Sequence, residues 1–453
     1  MPSGVLNTTG PRASPLRKRL VFASPEVTIT ILFATVNSWY FYFLVSIVGL
    51  PPMLASAAFA FGRIVDAVLD PIVGRWSDRN SRRVGRKRVI RLALVPTALA
   101  FIALWYVPAQ FDGVAYQALG AAAGFALFAV GYTLISVPRM AMLPGYEPDY
   151  HGRTGQVAVD MTFIFLTLSF TVAGVPALIT LGDDALTLAG TSPDVWWLVA
   201  AALAGVACLA YVPFLIAVPD QRPASHRTVE KPLTLFAGLV TVLQFRRFRM
   251  TVIVFFLSVV SLVSIQSMLP FFLESYIAVP KSGQAPVLGM VFGCSLLTLP
   301  IWVAIGRRFD KAGGLKLGIA VYMLFLLLAS LIAQGSGATV YLYITAVLAG
   351  AGITALSVFP WAMVPDAVDV CRDETGEDLQ GLCTSVFTFS NKLAGTVAVL
   401  LNGTILSLSG HDENQAVQSD LTTSAIYAAT VFLPLVFALL CIVALLNLCV
   451  PRQ

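Results

Sequence analysis

Gly74-Arg75-Trp76-Ser77-Asp78-Arg79 closes one long apolar run, and 232 residues later Gly306-Arg307-Arg308-Phe309-Asp310-Lys311 closes another. Both read G-R-x-x-D-[RK]. A second pair of segments, Ser136-Val137-Pro138-Arg139-Met140-Ala141-Met142-Leu143-Pro144 and Ser357-Val358-Phe359-Pro360-Trp361-Ala362-Met363-Val364-Pro365, shares five of nine positions at an offset of 221. Offsets near half of the 453 residues mark an internal duplication. Working outward from these repeats, each half holds six apolar stretches of about 20 residues, the length that a bilayer's hydrocarbon core demands.

The twelve expected spans lie near 26–48, 51–75, 88–107, 113–138, 155–181, 194–217, 249–276, 285–306, 317–334, 339–362, 381–408 and 422–448. All must be helices, because open strands cannot satisfy their backbone polar groups in lipid. The fold class is therefore an all-α membrane protein of two pseudo-symmetric six-helix bundles with a site between them. The expected organisation is a cytoplasmic tail (1–25), a first bundle (26–217), a cytoplasmic linker (218–248), a second bundle (249–448) and a short cytoplasmic tail (449–453). Leu233 to Arg249 in the linker reads as a helix lying on the inner membrane surface.

With 57% hydrophobic and 12% charged residues, the chain is far from the soluble average of about 25% charged. With both termini inside, 26 of its 29 basic residues fall in cytoplasmic segments or span ends, as the positive-inside rule requires of a multi-pass inner-membrane protein. The basic N-terminal segment lacks the features of a cleaved signal peptide. The six cysteines show no metal-ligand spacing. No triad or metal pattern gathers at one interface, so an enzyme is not expected. The expected partners are a small-molecule substrate and the lipid bilayer, not nucleic acid, with the chain a monomer. No cofactor is expected beyond a coupling cation, proton or sodium.

Charge inside a span costs roughly 2.5–3.5 kcal/mol on insertion scales. Span two nevertheless carries Arg63, Asp66 and Asp70, spaced three and four apart on one helical face. Two carboxylates one turn apart in a low dielectric need either a shared proton or a cation between them. The competing reading is that Asp66 neutralises Arg63 and aids packing. Lys392 lies about eleven residues into span eleven, too deep to snorkel easily, and reads as a functional group. Thr30, Thr35, Asn37 and Ser38 of span one and Ser258, Ser261, Ser264, Gln266 and Ser267 of span seven either line a cavity or bond helix to helix. Ser357 and Thr388 are further candidates for the substrate path. The loop carrying Asp78, Arg79 and Arg86 is either a positive-inside anchor or, with its repeat mates Arg307 and Asp310, a set of charge pairs that gate the cytoplasmic side. Arg139 and Asp160 lie about equally far from the turn between spans four and five. They are expected either to pair there or, failing that, to face headgroups and water separately.

The sequence resembles the glycoside–pentoside–hexuronide:cation symporters, the melibiose-permease-like family of the major facilitator superfamily. The likeness covers nearly the whole chain and rests on Arg63 through Gly74, Ser77-Asp78-Arg79, Gly85-Arg86-Lys87-Arg88, Ser136-Val137-Pro138, Asp149 through Thr154, Met363 through Asp369 and Asn391-Lys392-Leu393-Ala394-Gly395. The resemblance implies cation-coupled symport by alternating access, with Asp66, Asp70 and the Thr133 hydroxyl as cation ligands and Lys392 coupling cation to substrate. Sodium-using members carry an Asn where this chain has Leu69, which argues against sodium and leaves a proton as the alternative. The family's sugar-binding positions fall on Thr30, Ser136, Asp160 or Met161, and Met140, so the galactoside pocket is not expected. Sugar or glycoside is the family's default substrate. The wider superfamily's lysophospholipid transporters make an amphiphile the alternative.

Overall fold

Every long segment among the described residues is helical, as hydrocarbon surroundings dictate for a backbone that must bond to itself. The structure is a computed structural model and describes residues 15–80, 85–146, 150–186, 192–220, 243–337, 339–375, 380–412 and 418–449. Residues 221–242 of the expected linker, and with them most of the expected surface helix, lie outside the described residues. Arg246, Arg247 and Arg249 open a transmembrane helix instead.

After a short helix, Leu16–Ala23, come α1 (Pro25–Ser46), α2 (Pro52–Asn80), α3 (Arg86–Leu104), α4 (Val114–Met140), α5 (Tyr150–Leu186) and α6 (Ser192–Ala217). The second half holds α7 (Arg246–Phe271), α8 (Lys281–Phe309), α9 (Lys311–Ala329), α10 (Val340–Thr375), α11 (Gln380–Leu408) and α12 (Leu433–Cys449). A π-turn, Phe272–Tyr276, extends α7, and a second, Ala428–Phe432, joins the helix Asp420–Tyr427 to α12. Eleven of these segments are long and apolar enough to cross a membrane. The remaining one, α3, has the length but opens on Arg86-Lys87-Arg88. Helices α2, α5 and α10 run past the expected spans at 75, 181 and 362 to Asn80, Leu186 and Thr375. The apolar pattern marks where lipid ends, and a helix continues into water for as long as its own backbone bonds hold.

α1 to α6 pack into one bundle and α7 to α12 into another, and they meet through α2 against α11, α5 against α8 and α1 against α7. An internal twofold exchanges the first two contacts and maps the third onto itself, as the repeated motifs require. Twelve crossings put both termini on one side, which we call the terminal side. On the opposite side aromatic residues fill the first bundle: Trp105 stacks on Trp196 at 5.5 Å, with Tyr40 and Phe43 edge-on to Trp105. All four are buried, so they pack the bundle's core at this end.

Several polar residues of the spans bond helix to helix. Asn402 of α11 accepts from the Ser264 hydroxyl and donates to the Ser264 carbonyl (2.9 Å) and to Ser267 (2.7 Å), both on α7. Ser261 donates to the Pro434 carbonyl. Ser258, Ser261, Ser264 and Ser267 are all buried. Of the two roles open to these serines, the structure gives them that of packing polar groups.

Candidate functional site

A buried ion cluster joins the two bundles midway through the molecule. α2 places Asp66 and Asp70 one turn apart, as their spacing dictates, with Asp66 buried and Asp70 half-buried. Lys392 of α11 reaches across the interface. Its Nζ lies 2.9 Å from Asp66 Oδ2 and 2.6 Å from Asp70 Oδ2, and donates to the Asp66 carbonyl at 3.0 Å. From α4, the Thr133 hydroxyl donates to Asp66 Oδ1 (3.3 Å) and stands 3.5 Å from Asp70 Oδ1. Arg63 is farther from Asp66, at 3.9 Å, and lies over the Phe33 and Phe59 rings. Two carboxylates against one ammonium and one guanidinium leave the cluster close to neutral, which lets four charges persist in a low dielectric.

Arg63 can cross toward α11 because Gly395 gives way: a Cβ there would lie 3.1 Å from the guanidinium. Beside Asp66 a small cavity is lined by Phe33, Asn37, Arg63, Phe128 and Tyr132. Arg63 Nε and Asn37 Oδ1 are buried without a protein partner, a donor and an acceptor that one water would satisfy. Asn37 thus belongs to this site and not to helix packing.

On the terminal side of the first bundle, Arg139 of α4 and Asp160 of α5 meet at 3.0 Å. The same guanidinium also pairs with Glu26 of α1, a residue that the sequence reading passed over. Glu26 stands at the edge of the first apolar run, where an acid reads as interfacial, and only the folded bundle reveals its partner. Thr30, one turn on from Glu26, and Ser136, one turn before Arg139, are buried alongside. Met140 is not part of this group: it is 67% exposed. Ser357 and Thr388 donate back to the Ile353 and Thr384 carbonyls of their own helices.

Of the expected cytoplasmic charge set, Arg86, Arg307 and Asp310 have described side chains. The Asp78 and Arg79 side chains lie outside the described residues, although the backbone of both belongs to α2. Arg86 donates to the Ala141 carbonyl at 3.0 Å, inside its own bundle. Asp310 caps α9 through the Gly313 N–H, and Arg307 is exposed on the last turn of α8. An N-cap needs a short acceptor at the turn, so the backbone claims Asp310 before a distant charge can. The ion pair beside it is Lys311–Asp366, at 2.5 Å within the second bundle.

Two six-helix bundles around a charged midplane define a secondary transporter of the major facilitator type. The sequence model of the MFS/sugar transport protein family matches residues 21–450, and the chain belongs to that family. Among its relatives, the sodium-dependent lysophosphatidylcholine symporter 1 of Xenopus tropicalis is 23% identical over 428 residues, covering 88% of this chain and 80% of that protein. A sphingosine-1-phosphate transporter of Mus musculus is 26% identical over 397 residues, 83% and 78% of the two chains. The crystal structure of the nucleoside transporter NupG shares the fold at a TM-score of 0.64, with 12% identity over 95% of this chain and 98% of that one. The protein is a multi-pass symporter of the superfamily, a carrier and not an enzyme.

Proposed function

We propose that Asp66, Asp70 and Thr133 bind the coupling cation of this symporter and that Lys392 transmits its arrival to the other bundle. The observation that carries the reading is the position of the Lys392 ammonium, within 2.9 Å of both carboxylates and on the opposite bundle. A proton or sodium ion entering between Asp66 and Asp70 competes with that ammonium for the same oxygens. Cation binding thus loosens a bond between the bundles, and a ligand shifts a conformational equilibrium only through such a difference. The protein acts as a monomer in the cell inner membrane with both termini cytoplasmic, a reading supported by the distribution of its basic residues.

Within solute transport, an amphiphile such as a lysophospholipid is favoured over a sugar. A narrow cavity inside the second bundle is lined chiefly by apolar side chains, among them Leu269, Phe272, Val291, Phe325 and Leu342. It suits an alkyl chain and offers a sugar almost nothing to bond. The names of the lysolipid-carrying relatives point the same way.

The test is uptake into proteoliposomes of a lysophosphatidylcholine and, separately, a galactoside, each driven by a sodium gradient or by a proton gradient. Gradient-driven accumulation of the lysolipid is expected, with loss in Asp66→Asn and in Asp70→Asn. Undiminished accumulation in both variants overturns the cation site, and accumulation of the galactoside alone overturns the substrate class.

A further inference from the structure

The cluster of Glu26, Arg139 and Asp160 is built as firmly as the coupling site, yet among the described residues its charges do not balance. Arg139 donates to Glu26 Oε1 through Nη1, and Nη2 reaches both the Phe22 carbonyl (3.1 Å) and Asp160 Oδ2 (3.0 Å). The guanidinium lies over the Phe22 ring, 4.9 Å from its centre. Glu26, Arg139 and Asp160 are only 7%, 3% and 6% exposed. At the midplane, Arg63 and Lys392 offset Asp66 and Asp70. On the terminal side one guanidinium faces two carboxylates, so full ionisation leaves a net buried negative charge, which is costly without a partner.

Among the described contacts, the elements around the cluster supply neutral groups or backbone to it. Tyr211 of α6 donates to the Ile135 carbonyl at 2.9 Å, and Tyr132 of α4 is a half-buried phenol that Glu26 and Asp66 both influence. Tyr146 donates to the Lys18 carbonyl, and Gln156 of α5 donates to the Arg19 carbonyl, so Lys18 and Arg19 contribute backbone acceptors here. The side chains of His151 and Arg153, at the start of α5, lie outside the described residues. Gln156 is fully buried: its Nε2 donates to Asp160 Oδ1 at 2.8 Å while Oε1 has no donor. The amide that holds Asp160 therefore also offers an acceptor, the partner that the hydroxyl of a protonated carboxyl needs.

We infer that the Glu26–Arg139–Asp160 cluster is a second cation site of this carrier, holding one proton on its carboxyl pair. Burial selects a proton over a larger cation or a substrate headgroup, because neither could enter without parting α1, α4 and α5. Release and recapture of this proton gives transport a pH dependence separate from whichever cation binds Asp66 and Asp70. Only that effect on transport rests on the coupling reading; the proton itself does not.

The test is infrared difference spectroscopy of the purified full-length protein in lipid, titrated from acid to alkaline pH, with the proton as the only ligand. A titrating carboxyl C=O band is expected. It should disappear in Glu26→Gln and in Asp160→Asn, since either substitution leaves Arg139 with one carboxylate and no excess charge, and it should persist in Asp70→Asn. Carbon-13 labelling of Asp and Glu assigns the band to a carboxyl in the unaltered protein, so the result does not hang on how the variants fold. Absence of any such band, or a band that survives both substitutions, overturns the proposal. Loss of gradient-driven uptake in Asp70→Asn with the band intact separates this site from the coupling site.

Discussion

Lys392 competes with the coupling cation for two carboxylates, so its removal is expected to act on binding and transport in opposite directions. In Lys392→Gln, Asp66 and Asp70 lose a charge-assisted partner worth about 1.5–3 kcal/mol. Cation affinity should then rise about 10- to 150-fold, measured as a cation-induced thermal shift, while accumulation fails because binding no longer releases the second bundle. Weaker cation binding in the variant would assign Lys392 to holding the site together. Gly395→Ala presses a methyl to 3.1 Å from Arg63 and should lower the melting temperature without changing cation affinity. Residues of the first kind are legible in sequence because a charge inside an apolar run is conspicuous; Asp66, Asp70 and Lys392 stand out for that reason. Gly395 is silent, since its use lies in what the opposite helix brings to it. Asn37 is ambiguous among the polar residues of α1 until its orphaned oxygen is seen beside Asp66.

The elements with a switching role are the ends of α1 and α7 on the non-terminal side. Tyr42 of α1 donates to Glu274 at 2.5 Å across the bundle interface, and Phe41 and Tyr42 both pack on Phe271. Glu274 lies in the π-turn that extends α7, a local widening that hydropathy cannot signal. His411, in the connection after α11, stands edge-on to Phe271, and both its ring nitrogens lack a partner. Burial pushes its imidazole below the ordinary value of 6.5, against the opposing pull of Asp412 and Glu274. The closed form of this side therefore binds fewer protons than an open form in which His411 meets water. Closure is fully stable above pH 6.5 and weakens as pH falls from there through the lowered value. Deuterium labelling of the last turn of α1, corrected for the intrinsic exchange rate at each pH, should accelerate in that window, and His411→Phe should remove the acceleration. An unchanged labelling rate in the parent would exclude His411 as the sensor. The helices were legible from apolar length, whereas this device comes from aromatic contacts between halves that the sequence separates by more than 200 residues.

At the scale of the whole molecule, alternating access requires that the bundles close on one side and part on the other, so places where their backbones pack closely bear on the balance. One such place is Gly403 of α11, where a Cβ would meet Ser56 Oγ at 2.3 Å and the Pro52 carbonyl oxygen of α2 at 2.8 Å. Backbone cannot swing aside as a flexible side chain can, so any larger residue must hold α2 and α11 apart on the non-terminal side. Overpacking of this kind costs about 1–3 kcal/mol. The penalty falls on the state closed on that side and leaves the oppositely closed state untouched. Gly403→Leu should therefore shift the conformational equilibrium toward opening on the non-terminal side by roughly 5- to 150-fold. Cysteine labelling from that side should rise accordingly, and net transport should fall because one half of the cycle has become rare. Asp66, Asp70 and Lys392 lie well along α2 and α11 from the wedge, so cation affinity within the open state should be preserved. A second substitution that weakens the opposite closure would restore balance and recover part of the transport, an outcome that simple misfolding of Gly403→Leu could not produce.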